Sequence, residues 1–170
     1  MSKKFLIADP TKCTGCAACE LACSASKDKV FNKRMSRIRT VKLEPFVQTA
    51  VACRLCENPR CVRVCPRRAL TQNRETGVIT VDTTRCSACG WLCVQACEFG
   101  AITIHPDKRT AVVCDLCEGD PPCVKLCITE ALKLITLDTL TERARKSIIG
   151  ELFLEKQSKS LPKNITSRVR

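Results

Sequence analysis

The stretch that decides the fold is CTGCAACELAC, residues 13–23, which places four cysteines at the spacing C-x2-C-x2-C-x3-C. Three similar groups follow it along the chain: CRLCENPRCVRVC at 53–65, CSACGWLCVQAC at 86–97 and CDLCEGDPPCVKLC at 114–127. All sixteen cysteines of the chain fall into these four groups of four. Each group therefore has to be explained by something that four closely spaced thiols can hold.

The rest of the composition predicts a small apolar core. The chain has 170 residues, which is enough for one domain or two small ones. Its 45% of hydrophobic residues include the cysteines, aromatic residues make up only 4%, and tyrosine is absent. Small scaffolds with so little apolar side-chain volume are usually held together by disulfides or by metal.

Disulfides are the first candidate, because this density of cysteine in a short secreted chain indicates a disulfide framework. The first ten residues, MSKKFLIADP, contain an apolar run that ends before Asp9 and is too short for a signal peptide. No apolar run approaches the length of a membrane span. We therefore expect a cytoplasmic chain without a membrane span, in which the thiols are reduced and bind metal.

Spacing separates the two kinds of metal site that remain, zinc and iron–sulfur. A zinc ribbon uses two C-x2-C knuckles and needs no third and fourth cysteine beside each one. The run at 13–23 has the spacing of bacterial ferredoxins, in which three thiolates hold one 4Fe-4S cluster and the fourth ligates the other cluster. Four groups that account for every cysteine favour iron–sulfur, and a zinc-binding adaptor stays as the alternative.

The sequence also repeats around the last cysteine of three groups. CPRRALT begins at Cys65, CEFGAIT at Cys97 and CITEALK at Cys127, so each reads cysteine, three residues, alanine and then Leu or Ile. Alternating stretches accompany the three repeats, GVITVD, AITIHP and ALKLIT in turn, and they predict short strands. The segments ETG and HPDKR predict turns. The predicted unit is a cysteine loop, a short helix and a strand, and it occurs in pairs.

This arrangement resembles the four-cluster electron-transfer subunits of molybdenum and tungsten pterin oxidoreductases, such as formate dehydrogenase and tungsten aldehyde oxidoreductases. The related ferredoxin-like subunit of carbon monoxide dehydrogenase is similar as well. The resemblance covers roughly residues 3–137, and its most specific parts are the second group, followed by Pro66, and the fourth, whose loop contains Pro121 and Pro122.

The resemblance implies an α+β fold of two ferredoxin-like dicluster modules, the second inserted in the first, plus a C-terminal helical extension. Residues 1–45 and 105–137 would form the outer module, residues 46–104 the inserted module, and residues 138–170 the tail. In this family the first cysteine group pairs with the fourth and the second with the third, which implies four 4Fe-4S clusters. The implied ligand sets are Cys13, Cys16, Cys19 and Cys127; Cys114, Cys117, Cys123 and Cys23; Cys53, Cys56, Cys61 and Cys97; and Cys86, Cys89, Cys93 and Cys65.

The third cysteine group departs from the usual pattern. It has one additional residue before its third cysteine, so its loop is expected to bulge near Trp91 and Leu92. Glu98 stands where proline follows Cys65, and one hypothesis is that Glu98, if buried, lowers the reduction potential of its cluster. The alternative is that proline merely stops a helix and other residues serve there. His105 is expected to be an exposed turn residue, since no cluster lacks a cysteine.

The formal net charge is +12 when the cysteines are counted as neutral. An oxidised cluster with four thiolates carries roughly −2, so four clusters remove about 8 units and leave about +4. The remaining excess is expected to steer an acidic partner. Nucleic-acid binding is the alternative for a basic chain, but no recognisable reading helix or aromatic platform supports it.

Residues 138–163 predict a helix, with Leu140, Ala144, Ile148 and Leu152 four residues apart and Glu142 four residues before a lysine. Such a stripe packs on its own domain, or it docks on a catalytic subunit or on a second copy of the chain. The pattern does not choose between these.

The sequence as a whole predicts a non-catalytic electron carrier, since no phosphate-binding loop or nucleophile–base constellation is evident. Its four clusters would form a wire between a pterin-containing catalytic oxidoreductase subunit and a further redox partner. Carbon monoxide dehydrogenase or hydrogenase is the alternative partner. A zinc-binding adaptor or a nucleic-acid-binding module is the alternative of another class, and either would be colourless and redox-silent.

Overall fold

Short antiparallel strand pairs and short helices make up the computed structural model of the chain. The structure describes residues 3–43, 47–87, 89–142 and 144–146. Contacts divide the chain into two units, Met1–Thr136 and Leu137–Arg170. The first unit contains all sixteen cysteines.

Within the described residues of the first unit, eight strands form four separate two-stranded antiparallel sheets. The pairs are β1 with β8, β2 with β3, β4 with β5, and β6 with β7. Their bounds are β1 Lys4–Ala8, β2 Arg39–Leu43, β3 Val47–Val51, β4 Leu70–Gln72, β5 Ile79–Val81, β6 Ile102–Ile104, β7 Ala111–Val113 and β8 Leu132–Thr136. The strands predicted at GVITVD, AITIHP and ALKLIT are confirmed as β5, β6 and β8.

The pairing of β1 with β8 joins the two ends of the first unit. Lys4 lies opposite Thr136 and Ala8 lies opposite Leu132, so the register holds over five residues. Each of the other three pairs joins two strands that follow one another in the sequence. Among the described strands, β1 with β8 is the one pair that joins residues far apart in the sequence, and it brings the two ends of the first unit together.

Four α-helices follow or close the cysteine loops. Their bounds are α1 Ala18–Asp28, α2 Arg60–Arg63, α3 Leu92–Gln95 and α4 Pro122–Lys125. The last three are single turns of four residues, each of which begins shortly before the third cysteine of its group. The predicted order of cysteine loop, short helix and strand is confirmed for the second, third and fourth groups.

The core consists of small aliphatic side chains and cysteines. Ile38, Leu55, Leu70, Ile79 and Ile102 are each no more than 2% exposed. Buried cysteines from the first, second and fourth groups belong to the same apolar cluster. Burial of these side chains fixes the strands. Six cysteines are buried with them, Cys19, Cys23, Cys53, Cys61, Cys114 and Cys123, whereas Cys16 is exposed and the others are half-buried.

The second unit is helical where it is described, at residues 137–142 and 144–146. Lys146 Nζ lies 2.9 Å from Glu142 Oε1, which confirms the predicted pair four residues apart. The rest of the predicted tail helix, with Ile148 and Leu152, lies outside the described residues. Over the described ranges, no helix combines the length and apolar character needed to span a membrane.

Candidate iron–sulfur centres

A turn that occurs three times explains the repeat of cysteine, three residues and alanine. The backbone N–H of Ala69 donates a hydrogen bond of 3.3 Å to Cys65 Sγ, and that of Ala101 donates one of 3.3 Å to Cys97 Sγ. At Cys127 burial opposes ionisation, but backbone hydrogen bonds from Leu132 and Ala131 and the Thr129 hydroxyl lower the pKa of the thiol. The alanine thus supplies an N–H to the sulfur, and such donors stabilise a thiolate ligand.

The residue before each alanine has a left-handed backbone. The φ angles are 49° at Arg68, 59° at Gly100 and 52° at Glu130. In each turn this residue also donates its N–H to the carbonyl of the cysteine, at 3.0 to 3.1 Å. The three turns therefore have one geometry, although only one of them uses glycine, the residue that adopts positive φ without strain.

A second repeated turn precedes two of the cysteine groups, and sequence reasoning missed it. The segments DPTKC at 9–13 and DTTRC at 82–86 share the pattern Asp-x-Thr-basic-Cys. In both, the aspartate Oδ1 accepts hydrogen bonds from the threonine N–H and from its hydroxyl, the latter at 2.6 Å. The cysteine N–H then bonds to the aspartate carbonyl, at 3.1 and 3.0 Å. This turn places the first cysteine of its group. The repeated five-residue pattern is the feature of the sequence from which the turn could have been predicted.

The second cysteine group and the last cysteine of the third surround one cavity. This cavity of about 400 Å³ is lined by Cys53, Cys56, Cys61 and Cys97, together with apolar residues such as Ile79. Burial raises the pKa of Cys61, the negative charges of Cys53 and Cys97 add to the rise, and together they bring it to about 11. The structure thus brings together the four thiols that the resemblance implies for this cluster.

A second cavity is lined by Cys65, Cys86, Cys89 and Cys93, the four cysteines of another implied set. Burial raises the pKa of Cys93, and the charges of Cys86 and Cys65 add to this effect. The free volume of this cavity is about 10 Å³. Trp91 has φ 59° and is 55% exposed, and the bulge expected near Trp91 and Leu92 stays a prediction.

The four thiols of a further set lie close enough for their charges to affect one another. Burial raises the pKa of Cys123, the charges of Cys114, Cys23 and Cys117 add to the rise, and together they bring it to about 12. The Sγ of Cys23 also accepts a hydrogen bond of 3.3 Å from the backbone N–H of Arg37. These four cysteines are another of the implied sets.

The last set is only partly brought together by the described contacts. Burial and then the charge of Glu20 are the main causes that raise the pKa of Cys19 to about 12, and the charges of Cys16 and Cys13 contribute less. The described contacts of Cys127 are local, to the residues of its own turn. Its place beside the first group therefore stays a prediction.

The donor chemistry fits 4Fe-4S clusters. All sixteen cysteines are free thiols. Over the described residues, no three Cys, His, Asp or Glu side chains converge on a point where they could hold a single ion. A cube binds each thiolate through a separate iron, so its ligands surround a cavity and do not converge. The two cysteine-lined cavities have this arrangement.

The prediction that His105 is an exposed turn residue is wrong. The residue is 2% exposed, and its Nε2 lies 3.3 Å from Oδ1 of Asp28. Its Nδ1 accepts the backbone N–H groups of Asp107 and Lys108, so Nε2 carries the proton that faces the carboxylate. Turn polarity indicated exposure, but this ring caps its own turn and packs against the end of α1.

The premise of the hypothesis on Glu98 is also wrong. Its side chain is 59% exposed, and Oε1 lies 2.6 Å from Nη1 of Arg60, which is itself 62% exposed. Glu98 lines the rim of the cavity that holds Cys97. Because water and the arginine screen its charge, Glu98 is not a buried charge beside the cluster.

Known proteins with similar sequences agree with this chemistry. The profile of the 4Fe-4S dicluster domain family matches residues 46–137. The polyferredoxin-like subunit of an aliphatic sulfonate oxidoreductase from Pyrococcus furiosus is 36% identical over 135 residues, which cover 78% of both chains.

Two further relatives are named as electron-transfer proteins. The thiosulfate reductase electron transfer subunit PhsB of Salmonella typhi is 35% identical over 147 residues, covering 78% of this chain and 76% of that one. The electron transport protein HydN of Escherichia coli K12 is 33% identical over 167 residues, covering 82% and 91%. The chain therefore belongs to the 4Fe-4S dicluster family, and it is a ferredoxin-like electron-transfer subunit of oxidoreductases rather than a catalytic one.

Proposed function

We propose that the chain is a four-cluster wire in an oxidoreductase complex, with all sixteen cysteines as iron ligands in the four sets given above. The observation that carries the proposal is the pair of cavities lined by Cys53, Cys56, Cys61 and Cys97 and by Cys65, Cys86, Cys89 and Cys93. In each cavity a cysteine from one group joins three from the other. A bound 4Fe-4S cluster supplies reversible one-electron transfer, and the chain positions the clusters and excludes water from them.

We further propose that the two modules are nested, with residues 46–104 inserted between residues 1–45 and 105–137. The long-range pairing of β1 with β8 supports this arrangement, because it brings the beginning and end of the outer module into one sheet. The packing of α1 against α4 supports it as well, since these helices carry ligands of the first and fourth groups. The inserted module would then lie between two paired ends.

The proposed catalytic partner is a subunit that binds a molybdenum or tungsten pterin, in a cytoplasmic complex. The sequence resemblance of the second and fourth cysteine groups supports this partner, and a carbon monoxide dehydrogenase or hydrogenase partner is the alternative. We also propose that residues 138–170 dock on the catalytic subunit or on a second copy of the chain. A chain truncated after Thr136 should then lose its complex or change its oligomeric size, and an intact complex would contradict docking by the tail.

Metal analysis of the intact complex tests the partner. The complex would be purified anaerobically from its own organism, and its metals measured by elemental mass spectrometry. Iron with molybdenum or tungsten supports a pterin partner, and iron with nickel supports the alternative. Zinc without iron would overturn the proposal and favour an adaptor or nucleic-acid-binding module.

Cysteine variants test the ligand sets. Cys97→Ser removes the fourth ligand of the proposed cluster that is held by Cys53, Cys56 and Cys61. Cys65→Ser removes the fourth ligand of the proposed cluster that is held by Cys86, Cys89 and Cys93. Each variant is expected to lower the iron content of the anaerobically reconstituted chain from about 16 to about 12 atoms, because one 4Fe-4S cluster is lost. Ala96→Ser is the control, since it places a hydroxyl beside Cys97 without removing a thiol. Full iron content in both cysteine variants would contradict the assignment.

A further inference from the structure

A basic groove lies beside the third cysteine group. Its cavity has a volume of about 560 Å³. Three arginines line it: Arg34 from the short 3-10 helix Lys33–Met35, Arg39 from β2, and Arg109 from the turn between β6 and β7. None of the described residues that line the groove is an aspartate or a glutamate.

The three guanidinium groups have no carboxylate partner within the described part of the chain. Arg39 donates to the backbone carbonyl of Arg34 at 2.8 Å and to Thr103 Oγ1 at 3.2 Å, which are both neutral acceptors. Arg34 and Arg109 are exposed, and no ion pair of the described residues includes them. Neighbouring cations differ in this respect, since Arg37 and Lys108 both pair with Asp28. The groove therefore concentrates positive charge that the chain does not neutralise.

The groove shares a wall with a proposed cluster site. Trp91 and Ile104 line the groove, and both also line the cavity of Cys65, Cys86, Cys89 and Cys93. Trp91 is 55% exposed. A molecule that occupies the groove would thus be separated from the cluster by the thickness of these side chains.

We propose that this groove, defined by Arg34, Arg39, Arg109 and Trp91, is the docking surface for an acidic segment of a redox partner protein, which exchanges electrons with the adjacent cluster. The proposal rests on the proposed cluster sites and adds the place and charge of the partner. Arginine and exposed tryptophan are the residues enriched at protein interfaces, and complementary charge raises the rate of encounter. A single inorganic anion would fill only a small part of the groove.

The test measures how fast an acidic protein donor reduces the clusters. The probe is a reduced, strongly acidic ferredoxin with two 4Fe-4S clusters, mixed anaerobically with the full cluster-loaded chain in a stopped-flow spectrometer. For the wild type, the second-order rate constant is expected to fall steeply as sodium chloride is added, because salt screens the attraction.

Two turn arginines provide a matched pair of variants. Arg109 lies in the turn between β6 and β7 and lines the groove, whereas Arg74 lies in the equivalent turn between β4 and β5 and does not. Arg109→Glu is expected to lower the rate constant on the order of tenfold and to flatten its salt dependence, and Arg34→Glu to add to this loss. Arg74→Glu changes the net charge by the same amount, and this variant is expected to retain most of the wild-type rate constant.

A neutral reductant separates docking from cluster loss. Photoreduced, uncharged deazaflavin should reduce the wild type and all three variants at similar rates. If deazaflavin bleaches no clusters in the wild type, the proposed function itself fails. Two other results would overturn the docking proposal when deazaflavin does bleach the clusters. One is an equal rate constant for Arg109→Glu and Arg74→Glu with the ferredoxin, and the other is a ferredoxin that does not reduce the wild type. Inhibition by phosphate well beyond that of sodium chloride at equal ionic strength would also overturn it, in favour of a small-anion site.

Discussion

The Nε2 of His105 lies 3.3 Å from Oδ1 of Asp28, a residue 77 positions earlier in the chain. The same carboxylate accepts hydrogen bonds from Lys108 Nζ at 2.7 Å and from Arg37 Nη1 at 3.1 Å. The Asp28 side chain is only 4% exposed. One buried carboxylate therefore ties the end of α1 to the segment before β2 and to the turn between β6 and β7.

Asp28→Asn is expected to destabilise the protein. Burial alone would raise the pKa of Asp28, but the hydrogen bonds from Lys108 and Arg37 lower it from 3.8 to about 2. A shift of this size corresponds to about 2 kcal/mol of folding free energy at neutral pH. Urea unfolding of the anaerobic cluster-loaded chain, followed by far-ultraviolet circular dichroism, measures the loss.

The pH dependence of this loss has a definite sign. Because the folded-state pKa lies below the unfolded one, the contribution of Asp28 is complete above about pH 4 and disappears as the pH falls towards 2. The difference between wild type and Asp28→Asn should therefore be constant from pH 7 to pH 5. Asp107→Asn, at an exposed carboxylate of the neighbouring turn, is the control. Equal effects of the two substitutions would contradict the role of the buried network.

Opposite substitutions in two of the three cysteine–alanine turns should have opposite effects. Glu130 has φ 52° and Gly100 has φ 59° in the same turn position. Glu130→Gly removes a strained side chain and is expected to stabilise the chain by roughly 1 kcal/mol, while Gly100→Ala is expected to destabilise it by a similar amount. A Cβ at Gly100 would have no atom within 4 Å, so the effect reports backbone strain alone. Thermal unfolding measures both, and changes of the same sign would refute this account of the turn.

Glu98→Gln is expected to leave the reduction potential of the neighbouring cluster unchanged. The carboxylate is 59% exposed and pairs with Arg60, so its field at the cluster is screened. A redox titration followed by electron paramagnetic resonance would check this. A reproducible rise in the midpoint potential would show that the charge of Glu98 reaches the cluster despite its exposure.

Thr84→Val should weaken iron retention. It removes the hydroxyl that donates at 2.6 Å to Oδ1 of Asp82 and so loosens the turn that places Cys86. Faster iron loss to a chelator, followed by the decay of cluster absorbance, is the expected result. Thr83→Val alters the adjacent exposed threonine and is expected to behave like the wild type. If the two variants release iron at the same rate, the threonine hydroxyl does not support the cluster loop.

Most of the correct predictions came from local sequence patterns. Cysteine spacing and short alternating stretches depend on neighbouring residues, so β5, β6 and β8 and the helices of the cysteine loops follow from the sequence. The cysteine–alanine repeat was visible too, but its meaning, an N–H donated to sulfur at Ala69 and Ala101, depends on a backbone angle that no residue type dictates.

Contacts between distant residues could not be predicted in the same way. His105 is buried because Asp28 is placed against it, and the basic groove exists because Arg34 and Arg109, which are distant in the sequence, line the same cavity as Trp91. A single sequence does not reveal which distant residues come into contact, so the prediction that His105 is exposed rested on the polarity of its turn alone. The charge of Glu98 was visible in the sequence, but its ion pair with Arg60 was not.

The pairing of β1 with β8 also sets an order of events during synthesis. Lys4 leaves the ribosome long before its partner Thr136 has been made, so β1 has no strand to pair with until translation has passed β8. The hairpins β4–β5 and β6–β7 have their partners much earlier. The proposed inserted module can thus assemble while the chain is still being made, whereas the outer module can close only afterwards. Until then the first cysteine group leaves its thiols open to oxidation or to the wrong metal.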